Sequence, residues 1–186
     1  MGQSNHRVVF LDRDGVINSS FPSYVSQWKD YVLYPWALKS LRKLRQACAQ
    51  LFLVTNQSGV GRGYFSSHQL EDLLDNLHQR VRLSGGGFTE MFYCPHTPEE
   101  QCDCRKPEPG MLKEAASKYD IDLKASWVVG DRAGDIEAGN AVGARTIYVN
   151  TGKQSTLEDS AVQPDIVCEN LLQATDEIIK QWNQHS

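Results

Sequence analysis

The stretch that decides the fold is residues 8–16, which read Val-Val-Phe-Leu-Asp-Arg-Asp-Gly-Val. Its four leading apolar residues predict a short strand that is buried on both faces. Two carboxylates, Asp12 and Asp14, follow this strand, at the end where the reactive sites of open α/β sheets lie. Such a pair can act as nucleophile and proton carrier, or it can hold a hard cation. An acidic surface loop has the same spacing and remains the alternative at this point.

Strand-like and helix-like segments alternate through the rest of the chain. Apolar runs predict further strands at 51–55, 90–93, 127–130, 145–149 and 165–168. Helical periodicity predicts helices at 37–49, 66–83, 109–119, 135–142 and 171–182. Ser66 and Gln69 have the spacing of a capping box at the start of the second helix. This alternation predicts an α/β fold with a mostly parallel sheet and helices on both faces.

Length and composition suit one globular domain. Of the 186 residues, 40% are hydrophobic and 23% are charged, which is ordinary for a soluble protein. The net charge of −4 gives no support to a nucleic acid or an anionic membrane as partner. No apolar stretch approaches the roughly 20 residues that span a bilayer, and residues 1–7 lack the apolar region of a signal peptide. We therefore expect a cytoplasmic protein, and nothing demands more than a monomer.

Polar residues follow the second predicted strand. Thr55 offers a hydroxyl group, and the backbone amides of the next residues can bind phosphate oxygens. Asn56, Gln57 and Ser58 are therefore candidate substrate-binding residues. A plain polar turn has the same composition and is the alternative.

Two cations and a further acid stand in later loops. Lys106 is a point charge suited to a phosphoryl oxygen, and Arg105 can grip one with two parallel hydrogen bonds. Asp131 can complete a Mg²⁺ site with Asp12, and Asp135 can orient that site. Each feature alone also fits a solvated basic pair or a helix cap. Together the loops supply two acids, a hydroxyl with amides, a cation and another acid, as phosphoryl transfer requires.

In this order, the motifs resemble those of the haloacid dehalogenase superfamily of phosphatases. The matching motifs are Asp12-x-Asp14-Gly15-Val16, then Thr55, then Lys106, then Gly130-Asp131-x-x-x-Asp135. The resemblance implies a Rossmann-like three-layer α/β/α sandwich, a single domain over residues 1–186, and Mg²⁺ as a cofactor. No large cap domain is expected, because the interval 16–37 is short and the interval 55–106 is taken up by one predicted helix, one predicted strand and the loop that carries the cysteines.

The resemblance also implies a role for each matching residue. Asp12 attacks phosphorus and becomes an aspartyl-phosphate, while Asp14 protonates the leaving oxygen and then activates water. Thr55 and Lys106 hold the phosphoryl oxygens. The carboxylates of Asp12 and Asp131, with the backbone carbonyl of Asp14, hold Mg²⁺.

Three of the five cysteines cluster with a histidine in a loop at residues 94–104. Three thiolates and one imidazole make a closed tetrahedral Zn²⁺ set, whose ligands would be Cys94, His96, Cys102 and Cys104. Coincidence, or a cysteine pair prone to oxidation, is the alternative. A structural Zn²⁺ would pin the loop that ends in Arg105 and Lys106. The other two cysteines, Cys48 and Cys168, stand among apolar neighbours and are expected in the core.

The zinc cluster and the Pro-Gly-Met-Leu sequence at 109–112 resemble the zinc-bearing histidinol-phosphatase-like branch of the superfamily. Within this branch the motifs are most similar to those of sugar bisphosphate phosphatases. The resemblance implies a small phosphorylated sugar as substrate, contacted by Arg105 and Arg132 and bordered by residues 18–24. Arg62 is a further candidate for a second phosphate.

Three alternatives remain open from the sequence. A histidinol-phosphate phosphatase shares almost all the motifs, but several arginines would repel its cationic substrate. A mutase or transferase shares the chemistry but usually needs a cap to exclude water. A non-catalytic, zinc-stabilised binding module is the alternative from another class of protein.

Overall fold

The computed structural model describes residues 7–20, 24–151 and 161–184, which contain a six-stranded sheet. Its strands are β1 Val8–Leu11, β2 Gln50–Asn56, β3 Glu90–Cys94, β4 Trp127–Gly130, β5 Arg145–Val149 and β6 Ile166–Cys168. The strand order is β3-β2-β1-β4-β5-β6, and all pairings in the sheet are parallel. Because β1 lies between β2 and β4, the loops that follow these three strands meet at the same edge of the sheet.

Within the described ranges, five α-helices cover the two faces of this sheet. They are α1 Ala37–Gln46, α2 Ser67–Leu83, α3 Gly110–Tyr119, α4 Ala133–Ala141 and α5 Leu171–Gln184. Val9 and Leu11 belong to an apolar cluster with residues of α1, α2 and α5. Val8 and Phe10 belong to a second cluster with residues of α3 and α4. The predicted α/β/α sandwich with a parallel sheet is thereby confirmed.

Helix α2 begins as the sequence predicts. The Ser66 hydroxyl accepts a hydrogen bond from the backbone N–H of Gln69, and the Gln69 side chain accepts one from the backbone N–H of Ser66. This reciprocal capping satisfies two amide groups that the helix itself leaves unpaired. The apolar stripe of the helix then faces the sheet, where Leu70, Leu77 and Val81 are fully buried.

Helix α1 is shorter than predicted. It ends at Gln46 instead of residue 49, because the chain must turn before it enters β2. Cys48 adopts a left-handed backbone conformation with φ of 61°, and its side chain is exposed. The expectation that Cys48 lies in the core is therefore wrong, whereas Cys168 is buried as expected.

Helix α4 begins two residues earlier than predicted. Asp135 lies in its first turn, and its Oδ2 accepts a hydrogen bond of 3.0 Å from the backbone N–H of Arg132. A carboxylate at this position satisfies an amide of the helix start and so extends the helix towards β4.

Between β1 and α1, the described residues form turns, two isolated bridges and a short 3-10 helix at Trp28–Asp30. This short connection agrees with the prediction of no large cap domain at that point. In the described ranges, no helix has the length and apolar character needed to cross a membrane.

We expect Leu77→Ala to lower the free energy of unfolding by about 2–5 kcal/mol, since it removes a fully buried side chain and leaves a cavity. Leu83→Ala is the matched control on the same helix, because Leu83 is 83% exposed. The control should change stability by less than about 0.5 kcal/mol. Urea unfolding of both variants measures the difference, and equal losses would contradict the packing described for α2.

Candidate active site

Three buried carboxylates meet at the carboxyl ends of β1 and β4. Asp12 follows β1, Asp131 follows the neighbouring strand β4, and Asp135 lies one turn into α4. One oxygen atom from each carboxylate lies within 4.8 Å of the other two. Carboxylate oxygens are the donors that Mg²⁺ prefers in proteins. The structure thus brings Asp12 and Asp131 together as predicted, and it places Asp135, which was expected to orient that site, in the same cluster.

The ammonium group of Lys106 lies inside this acidic cluster. Its Nζ is 2.7 Å from Asp12 Oδ1 and 2.5 Å from Asp135 Oδ1, and it donates a hydrogen bond to the carbonyl of Val54. Burial alone would lower the pKa of Lys106, but Asp12 and Asp135 hold that pKa above its ordinary value. Lys106 is therefore protonated and orients the Asp12 carboxylate.

One lysine does not neutralise three buried acids. Burial, with repulsion from neighbouring carboxylates, raises the pKa of Asp12 to about 6 and that of Asp131 to about 8. Oδ1 of Asp131 is buried and has no hydrogen-bond partner in the described structure. A divalent cation would supply both the missing charge and a partner for this oxygen. The residues present therefore fit Mg²⁺.

Gly15 permits the close approach of the two loops. Its φ of 89° lies in the left-handed region, and a Cβ atom there would lie 1.9 Å from Oδ2 of Asp131. The hydroxyl of Thr151 also donates a hydrogen bond to the carbonyl of Gly15. A side chain at position 15 would displace the Asp131 carboxylate from the cluster.

Asp14 has a different set of partners. Arg13 donates to both of its carboxylate oxygens, with the shortest contact 2.7 Å, and Asn18 and Gln57 each donate one further hydrogen bond. Burial alone would raise the pKa of Asp14, but Arg13 and these hydrogen bonds hold it below its ordinary value. The acid is thus held in its ionised form in this structure.

Arg13 is the side chain at this site that the sequence reasoning missed. Its side chain is 1% exposed, although charged residues after a strand usually face solvent. Its position between two acids at the end of a buried strand could have indicated its role. A second buried carboxylate there would be costly without a cation beside it, and Arg13 is the adjacent cation.

Asn56 fixes the backbone of Lys106. Its Nδ2 donates to the carbonyl of Lys106 at 2.9 Å, and its Oδ1 accepts from the backbone N–H of Lys106 at 3.1 Å. Asn56 also pairs with Cys94 in the sheet. The end of β2 therefore connects β3 directly to the loop that carries the lysine.

A polar cleft of about 310 Å³ opens at these strand ends. The predicted catalytic and substrate-binding residues all line it: Asp12, Asp14, Thr55, Asn56, Gln57, Ser58, Arg105, Lys106 and Arg132. Ser20 and Tyr24 also border the cleft, whereas residues 21–23 of the predicted sugar-facing segment lie outside the described residues. Arg62 is not among the lining residues and faces Glu99 at 3.9 Å, so the structure gives it no support as a phosphate contact.

The four predicted zinc ligands lie together at the end of β3 and in the loop that follows it. Their ligand atoms all lie within 4.8 Å of one another, and four of the six pairs among Cys94, His96, Cys102 and Cys104 are 3.2–3.5 Å apart. Zn–S bonds of about 2.3 Å in a tetrahedron place sulfur atoms about 3.8 Å apart, close to this arrangement. Arg105 donates a hydrogen bond of 3.1 Å to the carbonyl of His96. The cluster therefore fits Zn²⁺ and leads directly to Lys106.

A comparison with protein families agrees with this geometry. The HAD-hydrolase-like family model matches residues 103–174, which include Lys106, Asp131 and Asp135. Together with the converging strand ends, this match defines the class of protein as a HAD-like hydrolase.

Relatives that match over nearly their full length indicate a more specific family within the HAD-like hydrolases. The D-glycero-β-D-manno-heptose-1,7-bisphosphate 7-phosphatase of Pseudomonas putida is 40% identical over 174 residues, covering 93% of this chain and 99% of that protein. The enzyme of the same name from Bordetella bronchiseptica is 33% identical over 177 residues, and this match covers 94% of this chain and 99% of that protein. The chain belongs to the family of these heptose bisphosphate 7-phosphatases, which confirms the resemblance drawn from the motifs.

A solved structure supports the same relationship. The crystal structure of the D,D-heptose 1,7-bisphosphate phosphatase from B. bronchiseptica, complexed with magnesium and phosphate, matches with a TM-score of 0.89. The two sequences are 34% identical, and the match covers 94% of this chain and 99% of that chain. The Rossmann-like HAD fold is confirmed by this agreement.

We expect Cys102→Ser to lose zinc, because it removes one of four ligands from a site whose metal contributes on the order of 10 kcal/mol. Metal analysis after dialysis against a weak chelator measures the zinc bound per chain. Cys48→Ser is the matched control, since Cys48 is an exposed free thiol outside the cluster, and it should keep the zinc content of the native protein. Full zinc content in Cys102→Ser would contradict the ligand assignment.

Proposed function

We propose that this chain is a Mg²⁺-dependent phosphatase that removes the 7-phosphate of D-glycero-D-manno-heptose 1,7-bisphosphate, and so feeds ADP-heptose synthesis for lipopolysaccharide. The observation that carries the proposal is the contact between Asp12 and Lys106 in the polar cleft. Asp131 lies in the same cluster of carboxylates as Asp12. The near full-length match to enzymes of this name supports the choice of substrate.

Charge at the site prepares it for a phosphoryl group. Lys106 and the Thr55 hydroxyl would hold its non-bridging oxygens, since both line the cleft beside Asp12. The carboxylates of Asp12 and Asp131 and the backbone carbonyl of Asp14 would hold Mg²⁺. When bound there, Mg²⁺ neutralises the charge of the phosphoryl oxygens and of the nucleophile.

Two displacements at phosphorus complete the reaction. A carboxylate oxygen of Asp12 forms a bond to phosphorus, the bond from phosphorus to the sugar oxygen breaks, and that oxygen takes a proton from Asp14. Water then attacks the aspartyl-phosphate and gives a proton to Asp14, and the bond from phosphorus to Asp12 breaks. The products are the dephosphorylated sugar and inorganic phosphate, and both carboxyl groups return to their starting states.

Protonation of Asp14 must accompany substrate binding. The structure shows Asp14 held as an anion by Arg13, whereas the first displacement needs its proton. The dianionic phosphate placed nearby would raise the pKa of Asp14 towards the form that can donate. Asp14 would then return to the ionised form that accepts a proton from water.

Two arginines favour a substrate with a second phosphate. Arg105 and Arg132 both line the cleft, as Lys106 does. Anionic groups are the natural partners of their guanidinium groups. A histidinol phosphate would instead bring a cationic amine towards them. The heptose bisphosphate reading is therefore preferred to the histidinol phosphate one.

Zn²⁺ would have a structural role. A Cys₃His set leaves no open coordination position for a reacting water. Its contribution would be to order residues 94–104, from which the chain continues into Arg105 and Lys106. A small phosphorylated sugar as partner, a monomeric state, a cytoplasmic location and a single domain over residues 1–186 complete the proposal.

We expect Asp12→Asn to lower kcat for phosphate release by more than about 10³-fold, since an amide cannot act as the nucleophile. Phosphate released from the heptose bisphosphate in the presence of Mg²⁺ is measured. Asp72→Asn, which changes an exposed acid on α2, is the matched control and should keep full activity. An active Asp12→Asn variant would remove the nucleophile from the proposal.

Substrate choice is tested by kcat/KM for both anomers of the heptose bisphosphate and for histidinol phosphate. We expect the heptose bisphosphate to be preferred by at least about tenfold, because both cleft arginines attract its second phosphate. A preference for histidinol phosphate would overturn the substrate assignment. Complete inactivity on any phosphomonoester, with the fold intact, would favour the binding module instead.

A further inference from the structure

We infer that Gln57 is a positioning residue that sets the direction of two groups at once, the carboxylate of Asp14 and the hydroxyl of Thr55. The inference rests on the proposed phosphatase function. Gln57 is only 4% exposed, although it is one of the residues that line the cleft. Its amide makes three hydrogen bonds within the protein, which leaves it poorly placed to bind a sugar directly.

The charges around Gln57 fix which way its amide points. Its Oε1 accepts a hydrogen bond of 3.1 Å from the guanidinium of Arg13, and its Nε2 donates one of 2.8 Å to a carboxylate oxygen of Asp14. The flipped amide would set two donors against each other at Arg13 and two acceptors against each other at Asp14. This orientation is therefore determined by the ion pair and not by the packing alone.

The fixed amide in turn fixes the hydroxyl of Thr55. The second hydrogen on Nε2 of Gln57 points to Thr55 Oγ1, at 2.9 Å, so the threonine oxygen is an acceptor in this contact. A hydroxyl has one hydrogen, and that hydrogen is consequently free to be donated elsewhere. Thr55 lines the cleft, and a phosphoryl oxygen there is a pure acceptor. Gln57 thus turns Thr55 into a donor towards the substrate.

The same amide helps to hold Asp14 in one orientation. On its other side, Asp14 accepts a hydrogen bond of 2.9 Å from the side-chain amide of Asn18. The amide oxygen of Asn18 in turn accepts a hydrogen bond of 2.7 Å from the hydroxyl of Tyr31. Asn18 and Tyr31 are buried, so both flanks of the carboxylate are held by side chains that have little freedom. Removal of Gln57 would leave Oδ2 of Asp14 with its hydrogen bond from Arg13 but without the second one, and so would loosen the group that delivers the proton.

These two effects have different signatures in the reaction. Thr55 contacts a non-bridging oxygen, so its misorientation slows every substrate. Asp14 protonates the leaving oxygen in the first displacement, so its misorientation slows that displacement on alkyl phosphates, whose leaving oxygen needs the proton, and spares it on p-nitrophenyl phosphate, whose phenolate leaves without it. The value of kcat/KM reports this first displacement, because it does not include hydrolysis of the aspartyl-phosphate, which is common to both substrates. A residue with a merely structural role would slow both kinds of substrate by the same factor.

The test is Gln57→Met, which keeps the shape of the side chain and removes its hydrogen bonds. We expect kcat/KM to fall about 100-fold on the heptose bisphosphate and about tenfold on p-nitrophenyl phosphate. KM for the heptose bisphosphate should change by less than about threefold, because an interaction with the transition state alone is lost. A rise in KM with unchanged kcat would mean that Gln57 binds the sugar directly, and it would overturn the inference.

Two control variants accompany this test. Asn56→Leu releases the backbone of Lys106, which acts on non-bridging oxygens, and should slow both substrates by one common factor. Gln79→Met makes the same exchange at an exposed position of α2 and should leave both activities unchanged. A common factor for Gln57→Met as well would overturn the inference and leave the proposed function standing. An inactive native protein on both substrates would instead overturn the proposed function.

Should circular dichroism show that Gln57→Met fails to fold, Gln57→Glu decides the question. The introduced carboxylate keeps the size of the side chain and can pair with Arg13, but it repels Asp14 and accepts the hydroxyl hydrogen of Thr55. We expect the same selective loss on the heptose bisphosphate. Native activity of Gln57→Glu on both substrates would overturn the inference.

Discussion

The site depends on the charge balance around one buried lysine. Lys106 enters a cluster of three carboxylates that two neighbouring strands and the start of α4 deliver. Without the ammonium, burial would drive these acids towards their neutral forms, and a neutral Asp12 is no nucleophile. Even with it, the cluster keeps an excess of negative charge, which fits a divalent cation. A divalent cation bound there would complete the charge balance that the lysine begins.

The fold brings these partners together over long distances in sequence. Parallel pairing of β1 with β2 and β4 places the ends of three strands at one edge of the sheet. Lys106 arrives from a loop without regular structure, so it needs other constraints. Asn56 holds its backbone on one side, and the cluster of three cysteines and His96, with Arg105, holds the chain that precedes it. The position of this buried ammonium group therefore depends on β2, β3 and the loop together.

The sequence predicted the fold well because its signals are local. Apolar runs, helical periodicity and the Ser66 cap each lie within a few residues, and the order of motifs then placed Asp12, Thr55 and Asp131 at neighbouring strand ends. The inward turn of Arg13 and the pairing of Lys106 with Asp135 were not predicted, since they depend on rotamers and on contacts between distant segments. The exposure of Cys48 was wrongly predicted because a left-handed backbone turn leaves no reliable mark in the neighbouring residues.

The short connection between β1 and α1 bears on the fate of the aspartyl-phosphate proposed above. In the described residues it supplies turns, two isolated bridges and one short 3-10 helix, and its Ser20 and Tyr24 border the cleft. Partition of such an acyl phosphate between hydrolysis and transfer to another hydroxyl depends on how easily water reaches it. A border of this size would leave water as the ready acceptor, so the proposed cycle would need no second acceptor to complete it.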